Sequence, residues 1–227
     1  MKVAVLFSGG KDSCFAVWHV LHQGWNIGSL VSVRSRNPDS YMFHYPNVEW
    51  SKLQAEALDL PIVVCESEGK KEDELEDLER CLSSLKSSLK VDGVVSGAVA
   101  SDYQKTRIDR LCESLDLASF SPLWRKNPEF LIRLEVECGF EIVITACMAR
   151  GFTNEWLGRK IDTVCLDELK EMNRKYGVHM AFEGGEAETF VTGGPIFKKK
   201  VVIRSLEKVW QGDSGYLQIK SAELAPK

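Results

Sequence analysis

The sequence predicts an α/β fold, in which helices cover both faces of a parallel sheet, followed by a smaller α+β region. Three observations predict it. The chain opens on an apolar run at 3–7 that a pair of glycines ends. Short apolar runs then alternate with helix-length amphipathic segments up to residue 117, as in proteins built on a parallel sheet. Beyond that point the alternation stops and the segments become mixed.

The first half is predicted to contain four strands and four helices. The strands are the apolar runs 3–7, 27–33, 62–65 and 91–96. The helices have apolar residues at helical spacing and cover 12–23, 50–59, 72–89 and a segment that follows Ser101. The polar stretch 34–48, which contains two prolines, is predicted to be a loop. Because parallel sheets bind ligands beyond the carboxyl ends of their strands, we expect a site at the loops after the first and fourth strands.

The pattern changes at 118–122, which is our candidate domain boundary. We therefore expect two domains, one over 1–118 and a smaller one over 119–227. In the second half we predict helices at 127–138 and 167–176, a strand at 140–148, and short strands with Gly and Pro turns over 188–219.

Composition sets limits on partners and location. The chain has 227 residues, is 44% hydrophobic and carries a net charge of −4, which predicts a globular protein without a nucleic-acid partner. It shows no bilayer-spanning stretch and no signal-peptide layout, so we expect a cytoplasmic protein with no membrane partner. Its seven cysteines form no Cys-x-x-Cys pair, and we expect buried, reduced thiols. The oligomeric state is not predicted.

The most informative motif is Ser8-Gly9-Gly10-Lys11-Asp12-Ser13, between the first strand and the first helix. Small residues at a helix start leave main-chain N–H groups uncovered, and the helix dipole there favours an anion. The serines add hydroxyl donors and the lysine adds a positive charge. The motif is not a Walker loop, because Asp rather than Ser or Thr follows the lysine. An ordinary glycine-rich turn is the alternative, but the combination favours phosphate binding.

A second polar stretch, Ser96–Arg107, follows the fourth predicted strand. Gly97 allows a ligand to approach the backbone, and polar side chains crowd the start of the next helix. A capping box formed by Ser101 and Gln104 explains the same residues without a ligand. At this point binding and capping are equally good explanations.

The third motif is Glu183–Thr189, in which three carboxylates surround two glycines. Such a turn suits Mg²⁺, ammonium or a cationic substrate. A solvated hairpin turn is the alternative. Apolar residues on both sides argue against full exposure, so we favour a functional role.

Taken in order, these motifs and Pro122-Leu123-Trp124 resemble the diphthine–ammonia ligase family, which belongs to the PP-loop superfamily of N-type ATP pyrophosphatases. The resemblance covers nearly the whole chain, in a compact form similar to archaeal members. It implies that 1–118 is a PP-loop ATP-binding domain of the HUP type, which cleaves ATP between its α- and β-phosphates, and that 119–227 is a substrate-recognition domain. It implies that the β- and γ-phosphates are held by Ser8, Gly9, Gly10, Lys11 and Ser13.

The resemblance also implies roles for single residues outside that cradle. Asp12 would help to place Mg²⁺, as the metal-binding residue. His44, in the predicted loop, would bind the α-phosphate as a catalytic residue beside Lys11 and Asp12. The further ATP contacts implied are Ser96, Gly97 and Gln104.

The implied reaction is the last step of diphthamide synthesis on translation elongation factor 2. The carboxylate of diphthine, a modified histidine with a trimethylammonium group, would become an acyl-adenylate. Free ammonium would then give diphthamide, AMP and pyrophosphate, because the chain has no glutaminase portion. Aromatic rings and carboxylates suit the trimethylammonium group. The implied substrate-binding residues are Tyr45, Tyr103, Trp124, Glu183, Glu186 and Glu188.

Two residues depart from the family pattern. Phe182 stands where a glycine is common, and Ala187 stands where an aromatic residue is common. These departures bear on the shape of the substrate pocket rather than on the ATP chemistry.

Two other functions stay open. A PP-loop tRNA-modifying enzyme of the thiolation type usually has Cys-x-x-Cys sites and a basic RNA-binding surface, neither of which this sequence shows. A nucleotide-binding module without turnover explains the phosphate loop, as we call Ser8–Ser13, but gives Glu183–Thr189 no role.

Overall fold

The computed structural model describes residues 1–35, 47–67 and 73–227. Two predicted site residues, His44 and Tyr45, lie outside the described residues. The strands are β1 (Lys2–Leu6), β2 (Asn26–Ser35), β3 (Ile62–Ser67), β4 (Gly93–Val95), β5 (Ala118–Phe120), β6 (Glu141–Cys147), β7 (Ala187–Gly193), β8 (Lys199–Gln211) and β9 (Ser214–Pro226). The α-helices are α1 (Lys11–His22), α2 (Ser51–Leu58), α3 (Asp73–Leu89), α4 (Asp102–Ser114), α5 (Pro128–Glu137) and α6 (Thr163–Tyr176). Over the described residues, no helix combines the length and hydropathy of a bilayer-spanning segment.

The first sheet has the order β3-β2-β1-β4-β5, and every pair in it is parallel. This confirms the predicted parallel sheet. The central strand β1 pairs with β2 on one side and with β4 on the other, so the winding of the chain reverses between them. The carboxyl ends of β1 and β4 therefore meet at a switch point, where α/β proteins bind ligands.

Helices cover both faces of this sheet, also as predicted. Alternate residues of β1 face opposite sides, because side chains alternate along a strand. Ala4 lies in a core cluster with Leu78 and Leu82 of α3. Val3 and Val5 lie in the larger cluster that contains the buried face of α1.

The second sheet is antiparallel and has the order β7-β6-β9-β8. The larger core cluster continues from α1 into this sheet through Ile142, Ile144 and Phe190. The rings of Phe15 on α1 and Phe140 before β6 meet edge to face, with centroids 5.8 Å apart. One core therefore connects the helix that follows the phosphate loop to the second sheet.

Two details differ from the sequence-based expectations. β8 and β9 each span thirteen residues and form one long hairpin, so the prediction of short strands over 188–219 was wrong in this respect. The charged residues Arg204, Glu207 and Lys208 interrupt the apolar pattern because that part of the hairpin is exposed. The stretch Ala118–Phe120, which was placed at the candidate boundary, is a three-residue strand that pairs with β4 and is too short to produce a pattern.

The expectation that all cysteines are reduced was also wrong for one pair. Cys65 of β3 and Cys81 of α3 form a disulfide. The other five cysteines are free. The two paired residues are separated by 16 positions in sequence, but the packing of α3 on β3 brings their Cα atoms to 6.3 Å. Sequence spacing alone contains no sign of this approach.

Candidate functional site

A cleft of about 440 Å³ opens at the switch point, between the ends of β1 and β4 and the turn that precedes β7. All three sequence motifs reach it, although about 80 residues separate one from the next. The predicted site residues that line the cleft are Ser8, Gly10, Lys11, Asp12, Ser13, Ser96, Gly97, Tyr103, Gln104, Glu183 and Glu188.

Gly9, Trp124 and Glu186, which were also predicted, do not line the cleft. The ring of Trp124 has its centroid 5.8 Å from Nζ of Lys105. The carboxylate of Glu186 accepts the main-chain N–H groups of His179 and Gly184, each at 2.9 Å. Glu186 thus helps to fix the conformation of the segment Glu183–Thr189 to which it belongs, which we call the acidic turn.

The phosphate loop has a conformation that requires its first glycine. Gly9 has a φ of +82°, and a Cβ atom there would lie 2.0 Å from Oε1 of Gln54. Gly10 is the N-cap of α1, with an extended backbone and no side-chain cap. The start of α1 therefore has no capping side chain of its own and offers main-chain donors where the helix dipole favours an anion.

The hydroxyl groups of the loop hydrogen-bond with one another. Ser13 donates from Oγ to the carbonyl of Gly10 at 3.0 Å, and Ser8 donates to Oγ of Ser13 at 3.3 Å. The second motif packs directly on this loop. A Cβ atom on Gly97 would lie 2.9 Å from the main-chain nitrogen of Ser13, so the second motif approaches the first as closely as glycine allows.

Lys11 is the main positive group at the cleft, and only 2% of it is exposed. Its Nζ donates to Asp12 at 2.7 Å and lies 4.0 Å from the carboxylate of Glu135. Burial lowers the pKa of Lys11, but these two carboxylates raise it by more, so the net shift is upward. The lysine is therefore charged and suited to bind phosphate.

Glu135 is a residue that the sequence analysis missed. It lies on the buried face of α5, is 0% exposed, and neither of its carboxyl oxygens has a hydrogen-bond partner among the described residues. Burial raises the pKa of Glu135 to about 8, while Lys11 acts in the opposite direction. The available signal was its spacing. Glu135 lies three positions after Ile132 and four after Leu131, which places it on the core side of the helix.

The acidic turn contacts the second motif directly. The carboxylate of Glu183 accepts the main-chain N–H groups of Ala100 at 2.8 Å and Ser101 at 3.1 Å. Ser101 is also the N-cap of α4, and its hydroxyl accepts the N–H of Gln104 at 3.3 Å. The capping explanation is therefore confirmed, and the same motif also lines the cleft; that it binds a ligand stays a prediction.

The pKa values of two carboxyl groups in this turn are raised, which favours their neutral forms. Burial raises the pKa of Glu183, and the charge of Asp12 adds to this effect. Burial likewise raises the pKa of Glu188 to about 8, with Asp12 acting in the same direction and Lys11 against it. Near neutral pH the protonated form of Glu188 repels an anionic ligand less than its ionised form would. Glu188 becomes a proton acceptor close to pH 8.

Phe182 has a backbone conformation that favours glycine. Its φ is +62°, it is 7% exposed, and its ring centroid lies 5.8 Å from Nζ of Lys11. Its main-chain N–H donates to the carbonyl of His179 at 2.9 Å, which helps to fix this conformation. A left-handed backbone of this kind is one that glycine adopts without strain, which fits the glycine that the resemblance leads us to expect at this position. Here the aromatic ring instead forms part of the cleft wall.

Comparison with known proteins shows which family the chain resembles in both of its halves. The family model of the diphthamide synthase N-terminal domain matches residues 1–119, and that of the C-terminal domain matches residues 127–225. A protein of Danio rerio named diphthine–ammonia ligase is 35% identical over 237 residues, covering 96% of this chain and 92% of the relative. Its Homo sapiens counterpart of the same name is 36% identical over 231 residues, covering 92% of this chain and 85% of the relative.

Among solved structures, a Methanocaldococcus jannaschii protein described as a predicted subunit of tRNA methyltransferase covers 86% of this chain and 98% of its own. The sequence identity is 16% and the TM-score is 0.44, a likeness too weak to carry an argument. The family models together account for both halves of the molecule, and the named relatives align over most of its length. The chain belongs to the diphthamide synthase family.

Proposed function

We propose that this protein is a diphthine–ammonia ligase, which uses ATP and ammonium to amidate diphthine on translation elongation factor 2. The observation that carries the proposal is the composition of one cleft. One side of it is a helix start whose own N-cap residue has no side chain, together with the buried Lys11, and the other side carries the carboxyl groups of Glu183 and Glu188. The names of the curated relatives support the same activity. Because the acceptor is a translation factor, we expect the protein in the cytoplasm.

The phosphate loop suits the part of ATP that leaves. Main-chain donors at the start of α1, together with Lys11, favour the charge of the β- and γ-phosphates. Ser96, Gly97 and Gln104 line the neighbouring wall, where we place further nucleotide contacts. Of the aromatic residues predicted to bind the acceptor, Tyr103 lines the cleft, and we assign it to the acceptor side.

The reaction then follows from the positions of these groups. A carboxylate oxygen of diphthine attacks the α-phosphorus, the bond to the bridging oxygen of the β-phosphate breaks, and pyrophosphate leaves. Lys11 stabilises the negative charge that develops on the departing group. The acyl-adenylate has AMP as a good leaving group, so ammonia attacks the acyl carbon, its nitrogen releases one further proton to water, and AMP departs.

Glu188 is our candidate for the base in the second step. Ammonium has no lone pair and must lose a proton before its nitrogen can attack. Glu188 lines the cleft and has a pKa of about 8, close to the value at which a general base is most effective near neutral pH. The proton lost from ammonium passes to its carboxylate.

Mg²⁺ is part of the proposal through Asp12. Among the described residues, no group of three or more His, Cys, Asp or Glu side chains converges on a metal site. This fits Mg²⁺ bound with a nucleotide, because that ion commonly takes one or two carboxylates together with substrate phosphates. Asp12, at the phosphate loop, would supply the carboxylate, and the ion would neutralise phosphate charge.

A product assay tests the proposed function. The protein is incubated with ATP, Mg²⁺, ammonium and diphthine-bearing elongation factor 2, and each component is omitted in turn. We expect AMP and pyrophosphate only in the complete mixture. K11A should abolish AMP formation with an unchanged circular dichroism spectrum, whereas K208A on the exposed hairpin should act as the wild type. Nucleotide binding without AMP under any condition would instead indicate a non-catalytic module, and AMP formation with tRNA as acceptor would indicate a tRNA-modifying enzyme.

A further inference from the structure

Three hydroxyl groups lie in the phosphate loop or against it, and they differ in whether an acceptor takes their proton. A hydroxyl has one proton to donate and two lone pairs that accept. The proton of Ser13 goes to the carbonyl of Gly10, and the proton of Ser8 goes to Ser13. Both serine protons are therefore engaged inside the loop.

The third hydroxyl belongs to Thr189, on β7 of the second sheet. Its Oγ1 accepts the main-chain N–H of Lys11 at 3.1 Å. Within 1–35, 47–67 and 73–227, no acceptor takes the proton of this hydroxyl. Thr189 lines the cleft, so its proton is available to a ligand bound there.

Thr189 also lies directly against the loop. A Cβ atom placed on Gly10 would be 3.3 Å from the carbonyl oxygen of Thr189 and 3.4 Å from its Oγ1. An anion at the start of α1 would therefore meet this hydroxyl as well as the main-chain donors. Hydrogen bonds from a hydroxyl to an ionised oxygen are among the stronger ones in proteins.

We propose that Thr189 is a phosphate-binding residue, which accepts the N–H of Lys11 and donates its hydroxyl proton to the leaving pyrophosphate part of ATP. This assignment rests on the proposed function, because it requires the nucleotide phosphates to lie at Ser8–Ser13. It makes a strand of the second sheet part of the nucleotide site.

Calorimetric titration with pyrophosphate, ATP and AMP tests the assignment. T189V keeps the shape of the side chain but removes the hydroxyl, and T189S keeps the hydroxyl. T192V is the matched control on the same strand, because the hydroxyl of Thr192 donates to the carbonyl of Glu141 at 3.2 Å and does not line the cleft. AMP lacks the two leaving phosphates and serves as the internal reference.

We expect T189V to weaken binding of pyrophosphate and ATP about tenfold and to leave AMP affinity within about twofold, the size of one charged hydrogen bond. T189S and T192V should bind all three ligands nearly as the wild type does. Equal weakening of AMP and pyrophosphate by T189V, or no weakening of pyrophosphate, would overturn the assignment. If the wild type bound neither ATP nor pyrophosphate, the nucleotide site itself would be wrong, and this inference with it.

Discussion

The main-chain N–H of Val191 donates to the carbonyl of Gly9 at 3.0 Å, joining β7 of the second sheet to the phosphate loop. Nε2 of Gln54 donates to the same carbonyl at 2.9 Å and to the carbonyl of Val191 at 2.8 Å. The loop is thus shaped by α2 and by the second sheet as well as by its own sequence. In the sequence the first motif looks like a complete phosphate-binding loop, but its conformation also depends on residues about 180 positions further along the chain.

Gly9→Ala should be more damaging than the same change at Gly24. Both glycines have positive φ, at +82° and +68°, so both substitutions add backbone strain of about 1–2 kcal/mol. A Cβ atom at Gly24 meets nothing within 4 Å, whereas at Gly9 it meets Gln54. Urea unfolding and ATP titration of the two variants separate strain from clash. Equal losses of stability and unchanged ATP binding in both would contradict the described loop.

Glu188→Gln should slow amide formation and remove one limb of the pH profile. As a general base Glu188 must be ionised, so the wild-type rate should rise as pH increases through about 8. At a constant concentration of ammonium ion, the amide variant should lose about 10²–10⁴-fold in rate and show no step centred near pH 8. Hydroxylamine is largely neutral at these pH values and needs no base. It should therefore react almost equally well with both proteins, and a matching loss with hydroxylamine would show that Glu188 has a structural role.

Glu135→Gln should change how stability depends on pH. The pKa of Glu135 is raised from 4.5 to about 8, chiefly by burial, so the folded protein holds this proton more tightly than the unfolded chain. Its contribution to stability is therefore complete below about pH 4.5 and is lost as pH rises through about 8. Urea unfolding at about pH 5 and about pH 8.5 should show a smaller fall for E135Q than for the wild type. E137Q, at an exposed carboxylate of the same helix, should behave as the wild type.

Glu186→Ala should impair use of the acceptor more than binding of ATP. Glu186 holds the main-chain N–H groups of His179 and Gly184, and the turn that it orders carries Glu183 and Glu188. Loss of two such charge-assisted bonds loosens the acidic side of the cleft, whereas the phosphate loop keeps its own contacts. The KM for the acceptor should therefore rise while the Kd for ATP stays within about twofold. Equal loss of both would show that the turn and the loop act as one unit.

The sequence was enough to predict the parallel sheet and the place of the cleft. Periodicity indicates which elements form, and the switch-point rule places the ends of β1 and β4 together. The sequence also singled out Lys11 and Glu183, because the motifs that contain them have an unusual local composition. Whether each predicted site residue acts as assigned stays a prediction.

The remaining features depend on contacts between distant parts of the chain. Thr189 and Gln54 are ordinary residues until β7 and α2 are placed against the loop. Glu135 appears as one charge in an apolar helix, and its proximity to Lys11 exists only after the two halves pack on one core. The Cys65–Cys81 bond likewise depends on how α3 lies on β3.

The central claim is that an oxygen of the acceptor carboxylate becomes bonded to the α-phosphorus of ATP. Diphthine-bearing elongation factor labelled with ¹⁸O in both carboxylate positions tests it directly, with the products of one turnover examined by mass spectrometry. The account predicts one labelled oxygen in AMP, one retained in the amide, and none in pyrophosphate. Label in orthophosphate, with ADP as the nucleotide product, would contradict it.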